Sequence, residues 1–230
     1  MQKIYKFQTV ILAIAVVLAT TLACSIFSSP TPVSVEPANT QPTQPQAVNS
    51  AACSIFDSIP ASAQYSAAPP MLIDTAGKYF ANVKTVNGGE FVIELYADKA
   101  PITVNSFVFL SCKGFFNGVT FHRVLDGFMA QGGDPTGTGT GGPGYEFVNE
   151  NSDLTFDKAG VMAMANAGPD TNGSQFFITF GPQEFLNGGY TIFGQVTSGM
   201  DVVNNLTRRD PDQNPSFTGD AIESITITTD

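Results

Sequence analysis

From about residue 69 onward, apolar and polar residues alternate in short runs that are typical of β-strands. Residues 79–85 and 90–96 alternate in this way, and Asn87-Gly88-Gly89 between them has the composition of a hairpin turn. Further short apolar runs predict strands at 119–124, 160–164, 176–179, 191–196 and 222–228.

Two segments of this region have the spacing of helices instead. Pro101 suits the first position of a helix, the apolar residues between 104 and 112 recur at helical spacing, and Gly114 ends the segment. Residues 199–206 predict a second, shorter helix. Many short strands, two helices and abundant turns indicate a mainly β domain with a closed or nearly closed sheet.

The N-terminal residues 1–23 predict a secretory signal peptide. Lys3 and Lys6 precede an unbroken apolar run at 10–18, and small residues lead up to Cys24. The alternative is an uncleaved membrane span, but the apolar run is shorter than the roughly 20 residues that a span needs.

Cys24 indicates how the exported chain is attached to a membrane. Leu22-Ala23-Cys24 resembles a bacterial lipobox, in which the cysteine is lipidated and becomes the new N-terminus, although Thr21 departs from that pattern. We expect a lipoprotein that is anchored in a membrane through Cys24, on the extracytoplasmic side. Cleavage after Ala23 followed by release is the alternative.

Residues 24–68 predict a disordered tether, and residues 69–230 predict the folded domain. The tether is rich in Pro, Thr, Ser, Gln and Ala, with almost no apolar residues between 28 and 47, so it offers little surface to bury. Two cysteines remain besides Cys24. Cys53 and Cys112 could form a disulfide in an oxidising compartment, or Cys112 could be a buried free thiol.

Composition excludes several classes of function. The chain has 20 acidic against 10 basic residues and no basic cluster larger than Arg208-Arg209, which argues against binding to nucleic acid. A single histidine argues against a structural zinc site, so we expect no metal. The Gly-rich loop at 132–144 lacks the Gly-Lys-Ser/Thr sequence of a phosphate-binding loop.

Several long motifs closely resemble cyclophilins. Residues 121–134 read FHRVLDGFMAQGGD and residues 162–178 read MAMANAGPDTNGSQFFI. Three more segments in the same order share the resemblance: ELYADKAPITVNSF at 94–107, GGPGYEF at 141–147 and LNGGYTIFGQV at 186–196. The resemblance covers about residues 70–230, which is nearly all of the chain outside the signal and tether.

The resemblance implies a fold and an activity. The fold is an eight-stranded antiparallel closed β-barrel capped by two α-helices. The activity is peptidyl-prolyl cis-trans isomerisation without a cofactor, acting on proline-containing polypeptide clients and, for an exported chain, assisting their folding. We expect a monomer. The alternative is a module or chaperone that binds proline-containing segments without turnover.

The resemblance also implies roles for individual residues. Isomerisation makes and breaks no covalent bond, so a catalyst need only favour the twisted amide, whose prolyl nitrogen gains a lone pair. Arg123 matches the donor to that nitrogen, and an arginine keeps its charge at any working pH. His122 beside it is interpreted as structural support.

The motifs further predict a substrate groove. Phe128, Met129, Phe177 and Leu186 match the residues around the proline ring. The remaining groove residues are Gln131, Ala165, Asn166, Ala167, Gln175, Phe185 and Tyr190. At two of these positions the chain departs from the best-known cyclophilins, which carry Trp where Phe185 stands and His where Tyr190 stands.

Overall fold

A computed structural model of the protein describes residues 51–230. The predicted signal peptide, Cys24 and the tether up to residue 50 lie outside the described residues. The strands are β1 Tyr79–Thr85, β2 Glu90–Leu95, β3 Arg123–Leu125, β4 Met129–Gly132, β5 Val161–Met164, β6 Phe176–Thr179, β7 Ile192–Ser198 and β8 Ile222–Thr229. The helices are α1 Pro101–Cys112 and α2 Met200–Asn204. Within residues 51–230, no helix is both long and apolar enough to cross a membrane.

The eight strands form one sheet in the order β3-β4-β6-β5-β7-β2-β1-β8, and every described pairing is antiparallel. The prediction of a closed barrel is wrong, because the sheet is a half-barrel whose edge strands β3 and β8 do not pair. β3 has only three residues, and Val124 in its centre forms a bridge with Arg209 instead. The segment before β3 contacts the start of β8 through the isolated bridge of Thr120 with Ala221 and a few backbone hydrogen bonds, such as that from the Gly118 N–H to the Ile222 carbonyl.

The predicted hairpin is confirmed and shows how the alternating pattern works. β1 and β2 pair in register from Tyr79 opposite Leu95 to Lys84 opposite Glu90. Alternate residues of β1 are buried, so one face of the strand packs on the core while the other is only partly covered. Gly88, with a φ of +86°, forms the turn between the strands.

The region around β3 differs from the expectation. The predicted strand at 119–124 is reduced to Arg123–Leu125, and the neighbouring strand β4 was not predicted. β4 is short and ends at Gly132, where a Cβ would lie 3.2 Å from the ring of Phe121. These two short strands form the edge of the sheet that carries Arg123 and Gln131, opposite each other in the register.

α1 packs against the sheet and contributes to the main core. Val104, Phe107 and Val108 are buried, and Phe107 contacts Phe176 of β6 at 5.7 Å between ring centroids. The first turn of the helix contains no acidic residue, but the Glu150 carboxylate accepts hydrogen bonds from the backbone of its first residues. A carboxylate at this end satisfies free N–H groups and complements the helix dipole.

The folded unit begins before residue 69. Ala51–Phe56 forms a short 3-10 helix, and Cys53 forms a disulfide with Cys112 at the end of α1. Phe56 is fully buried. We call residues 51–66 the N-terminal strap. The strap lies within the range predicted as tether, and it is ordered because the disulfide and the Phe56 side chain hold it to the domain.

Candidate active site

A cavity of about 230 Å³ opens beside β3, β4 and β6, and we call it the first cavity. Nine of the site residues predicted from the sequence line this cavity. They are Arg123, Phe128, Met129, Gln131, Ala165, Asn166, Phe177, Leu186 and Tyr190.

The apolar wall of this cavity is part of a small core cluster. Phe177 stacks on Phe156 at 5.8 Å and meets the edge of Tyr190 at 5.4 Å. Met129, Phe177 and Leu186 are all buried. Since these side chains are fixed by packing from behind, the wall is formed before any ligand arrives.

Arg123 is the one cationic residue of the first cavity. Its side chain is half-buried, and its guanidinium carbon lies 5.9 Å from the centre of the Phe128 ring. Within residues 51–230, the Arg123 guanidinium makes no ion pair and donates no hydrogen bond to another protein group.

The other two arginines differ in this respect. Arg208 pairs with Asp126 at 3.1 Å and donates to the carbonyls of Asn204 and Leu206. Arg209 donates to the carbonyls of Phe217 and His122. Both guanidiniums therefore serve the structure, whereas that of Arg123 is available to a ligand.

A second cavity, of about 740 Å³, adjoins the first. The two share Gln131, Ala165 and Asn166 as a common wall. The predicted residues Ala167 and Gln175 lie in the second cavity. Phe185 lines neither described cavity. It is 73% exposed and stacks on Phe128 at 5.8 Å, so it stands at the rim of the first.

The shared wall is held by hydrogen-bonded amides. Gln131 Nε2 donates to Gln175 Oε1 at 2.9 Å, and Gln175 Nε2 donates to the Gly141 carbonyl at 2.9 Å. Asn166 Nδ2 donates to the Gly189 carbonyl at 3.2 Å, and its Oδ1 accepts from the Gly168 N–H. These bonds fix polar groups between the two cavities, where a polypeptide backbone would have to be held.

The Gly-rich loop at 132–144 forms the outer wall of the second cavity, and a buried carboxylate organises it. Asp134 accepts hydrogen bonds from the Thr136 hydroxyl at 2.8 Å and from the Gly139 N–H at 2.6 Å. Burial by itself would raise the pKa of Asp134, but the hydrogen bonds to its carboxylate outweigh burial and lower the pKa to about 2. A Cβ at Gly141 would overlap Asp134 Oδ1, which explains the glycine there.

His122 lies behind this loop, not in either described cavity. It is buried, and burial lowers the pKa of its imidazole. Its Nε2 lies 3.8 Å from where a Cβ of Gly139 would stand. This position supports the interpretation of His122 as a packing residue between β3 and the loop.

Sequence reasoning missed several residues of the second cavity. Gln64 of the strap, Glu146 and Thr171 line it, together with the glycines of the loop. The GGPGYEF motif gave a signal for the loop and Glu146. Gln64 stands in a Pro-, Ser- and Ala-rich segment without periodicity, so no local pattern pointed to it.

Comparisons with known proteins agree with this geometry. A family model described as cyclophilin type peptidyl-prolyl cis-trans isomerase/CLD matches residues 80–228. The chain is 52% identical over 122 residues to human peptidyl-prolyl cis-trans isomerase-like 1, which covers 51% of this chain and 74% of that protein. It is 50% identical over 125 residues to Bacillus subtilis peptidyl-prolyl cis-trans isomerase B, covering 54% and 87% respectively.

A solved structure is similar as well. The Cryptosporidium parvum cyclophilin type peptidyl-prolyl cis-trans isomerase, crystallised in the presence of the dipeptide ala-pro, has a TM-score of 0.60 and 36% sequence identity. The match covers 66% of this chain and 99% of that one. The chain therefore belongs to the cyclophilin-type peptidyl-prolyl cis-trans isomerases and is an enzyme of that activity.

Proposed function

We propose that the protein accelerates isomerisation of X–Pro bonds by directing the Arg123 guanidinium at the prolyl nitrogen of a bound polypeptide. The observation that carries this proposal is the state of Arg123. It is a cationic donor in a cavity with an apolar wall, and no described protein group competes for it. The hydrogen bonds of such a donor are available for a ligand.

The physical basis is the difference between the planar and the twisted amide. Resonance in the planar form delocalises the nitrogen lone pair and produces a barrier of about 18–20 kcal/mol. Twisting localises the lone pair on nitrogen, which then accepts a hydrogen bond. A fixed guanidinium therefore binds the twisted form more tightly than the planar form, and this difference lowers the barrier. No proton needs to be transferred.

The two cavities suggest how the substrate lies. The proline ring would occupy the first cavity against Met129, Phe177 and Leu186, which supply an apolar, preformed wall. The substrate backbone would cross the shared wall at Gln131 and Asn166. A related protein crystallised with an Ala-Pro dipeptide supports a short proline-containing segment as the ligand.

The test is turnover of a short X–Pro peptide by the full-length chain. Arg123→Ala should lower kcat/KM by about 100- to 1,000-fold, the usual effect of removing one transition-state donor. Arg208→Ala, which removes a partly exposed guanidinium outside both described cavities, is the matched control and should retain turnover. Both variants should be compared by thermal unfolding, because a folded but inactive Arg123→Ala is the informative result.

Equal turnover by wild type and Arg123→Ala would overturn the arginine mechanism. A folded wild type that binds the peptide without turning it over would favour the rival role, a module that holds proline-containing segments. The first cavity would have the same lining in either role, so kinetics and not geometry separates them.

We further propose that the enzyme works as a monomer outside the cytoplasm, on exported proteins, while anchored through a lipid on Cys24. The support is the order of charge, apolar run and small residues before Cys24. Spontaneous prolyl isomerisation takes tens to hundreds of seconds, so newly exported chains would benefit from catalysis. Cys24→Ala should release the protein from the membrane fraction or block its maturation, and unchanged membrane association would refute the anchor.

A further inference from the structure

We propose that the N-terminal strap is a specificity element of the enzyme, with Gln64 as its contact residue in the second cavity. It would favour clients that carry a positively charged or hydrogen-bond-donating side chain near the proline, over clients with an acidic one. This inference rests on the proposed function, in which the substrate backbone crosses from the first cavity to the second.

One end of the strap is fixed to α1. Cys53 forms the disulfide with Cys112, and the Phe56 ring packs on Phe109 at 5.3 Å between centroids. Lys113 Nζ also donates a hydrogen bond to the Phe56 carbonyl at 2.7 Å. A covalent bond, a buried ring and a hydrogen bond therefore hold the first six residues of the strap.

The other end of the strap is joined to the Gly-rich loop. The Tyr65 N–H donates to the Pro143 carbonyl at 2.7 Å, and Gln64 Nε2 donates to the Gly142 carbonyl at 2.8 Å. The Tyr65 ring meets Phe109 edge-on at 4.9 Å. These contacts place the strap against the wall of the second cavity.

Gly144 shows that the loop and the strap fit each other closely. Its φ is +96°, and a Cβ there would overlap the Tyr65 carbonyl oxygen. Any other residue at this position would both strain the loop and push the strap away. The strap can therefore lie this close to the loop because residue 144 is a glycine.

The chemistry of the second cavity sets its preference. Glu146 is its one carboxylate, and no lysine or arginine belongs to the described lining. Gln64 Nε2 donates to the carbonyls of Ala63 and Gly142, and no group within residues 51–230 donates to Gln64 Oε1, so this oxygen can accept a hydrogen bond from a ligand. A wall with a carboxylate and an amide oxygen favours donors and cations, and disfavours carboxylates.

The test uses the full-length chain and a set of peptides around one proline. The reference peptide has alanine at the two positions on each side of the proline, and lysine or glutamate then replaces each alanine in turn. The readout is the ratio of kcat/KM for the lysine peptide to that for the glutamate peptide. We expect wild type to favour lysine at one or more positions.

Two variants of Gln64 alter this ratio in a graded way. Gln64→Ala should lower it by roughly two- to tenfold, the usual effect of one lost hydrogen bond. Gln64→Lys should reverse it, because the cavity then carries a cation. Gln64 is exposed, so both variants should fold. Gln213→Ala and Gln213→Lys make the same changes at an exposed glutamine outside both described cavities, and they should leave the ratio unchanged.

An identical ratio in wild type, Gln64→Ala and Gln64→Lys would overturn the proposal. Failure of wild type to turn over the reference peptide would instead contradict the proposed function. In that case the same ratio is read from peptide dissociation constants, measured by titration, so the role of the strap is still tested separately from catalysis.

Discussion

The two cavities lie side by side, yet they are built from different parts of the fold. The first takes Met129 from β4 and Phe177 from β6, whose side chains are buried in a packed cluster. The second takes most of its wall from the Gly-rich loop and from Gln64 of the strap. Chemistry that depends on one donor requires atoms held to a fraction of an ångström, which strands provide, whereas loops adapt recognition to different clients.

The two cavities also differ in charge. The first contains the unpaired cation of Arg123, and the second contains the carboxylate of Glu146. Gln131, Ala165 and Asn166 stand between them. The reaction and the choice of client should therefore be separable by mutations that damage one cavity and leave the other in place.

Removing the disulfide should have the largest effect on stability. This change releases the N-terminal strap from α1. Cys53 and Cys112 are 59 residues apart in sequence, so their bond restricts the unfolded chain strongly. The pair Cys53→Ser and Cys112→Ser should lower the free energy of unfolding by about 2–4 kcal/mol. Urea denaturation measures this change.

The control for this experiment is wild type treated with a reductant, which should match the double variant. Turnover of the all-alanine peptide reports on the first cavity, whose lining does not include the strap. A double variant as stable as oxidised wild type would show that the non-covalent contacts of the strap hold it without the disulfide.

The second largest effect on stability is expected from acid, which should destabilise the Gly-rich loop that forms the wall of the second cavity. The folded-state pKa of Asp134 is lowered from 3.8 to about 2, so its stabilising effect is complete above pH 3.8 and is lost as the pH falls toward 2. Asp134→Asn should lower the free energy of unfolding at pH 7 by about 1.5–3 kcal/mol, since hydrogen bonds to a charged group are lost.

Denaturation at several pH values between 5 and 2 measures both effects. The variant should lose less stability than wild type across the acidic range, because the titrating group is gone. Parallel stability curves for the two proteins would contradict the role of Asp134 in the loop. Asp212→Asn, at an exposed position in a 3-10 helix, is a control for the change of charge.

A smaller effect is expected from the apolar wall of the first cavity. Phe177 and Phe176 are neighbours in β6 and face opposite sides of the sheet. Phe177 lines the first cavity, whereas Phe176 packs with Phe107 in the main core. Phe177→Leu should lower kcat/KM by roughly tenfold, which corresponds to about 1.4 kcal/mol of lost transition-state binding.

Phe176→Leu is the matched control for this experiment. Both variants should lose stability in thermal unfolding, because each side chain is buried. Only Phe177→Leu should lose activity beyond that expected from the unfolded fraction. Equal losses of activity would show that the two aromatic residues act through the stability of the sheet alone.

Much of the fold could be predicted from the sequence where local patterns are long. β1, β2 and α1 have clear alternation or helical spacing, and the structure confirms them nearly to the residue. β4 has only four residues and no clear alternation, so it is determined by its pairing with β3 and β6. The openness of the sheet depends on which strands pair across the fold, and no local pattern determines that.

The site could be predicted where the residues stand in long motifs. Arg123 and the wall around Phe177 were identified from the family resemblance, and the structure brings them into one cavity. Gln64 could not be predicted, because its place depends on the Cys53–Cys112 bond and on contacts with a loop about 80 residues away in sequence. The composition of residues 51–66 is typical of a disordered tether, although the buried side chains of Phe56 and Cys53 hold this segment to the domain.

We expect Arg123 to accelerate rotation of a bound X–Pro bond without being needed to bind the peptide. NMR exchange spectroscopy tests this at equilibrium, on an Ala-Pro peptide with a catalytic amount of the full-length protein. Wild type should greatly raise the rate of exchange between the cis and trans resonances. Arg123→Ala should bind the peptide with similar shift changes but leave the exchange near its uncatalysed rate. Exchange as fast with Arg123→Ala as with wild type would contradict this role of Arg123.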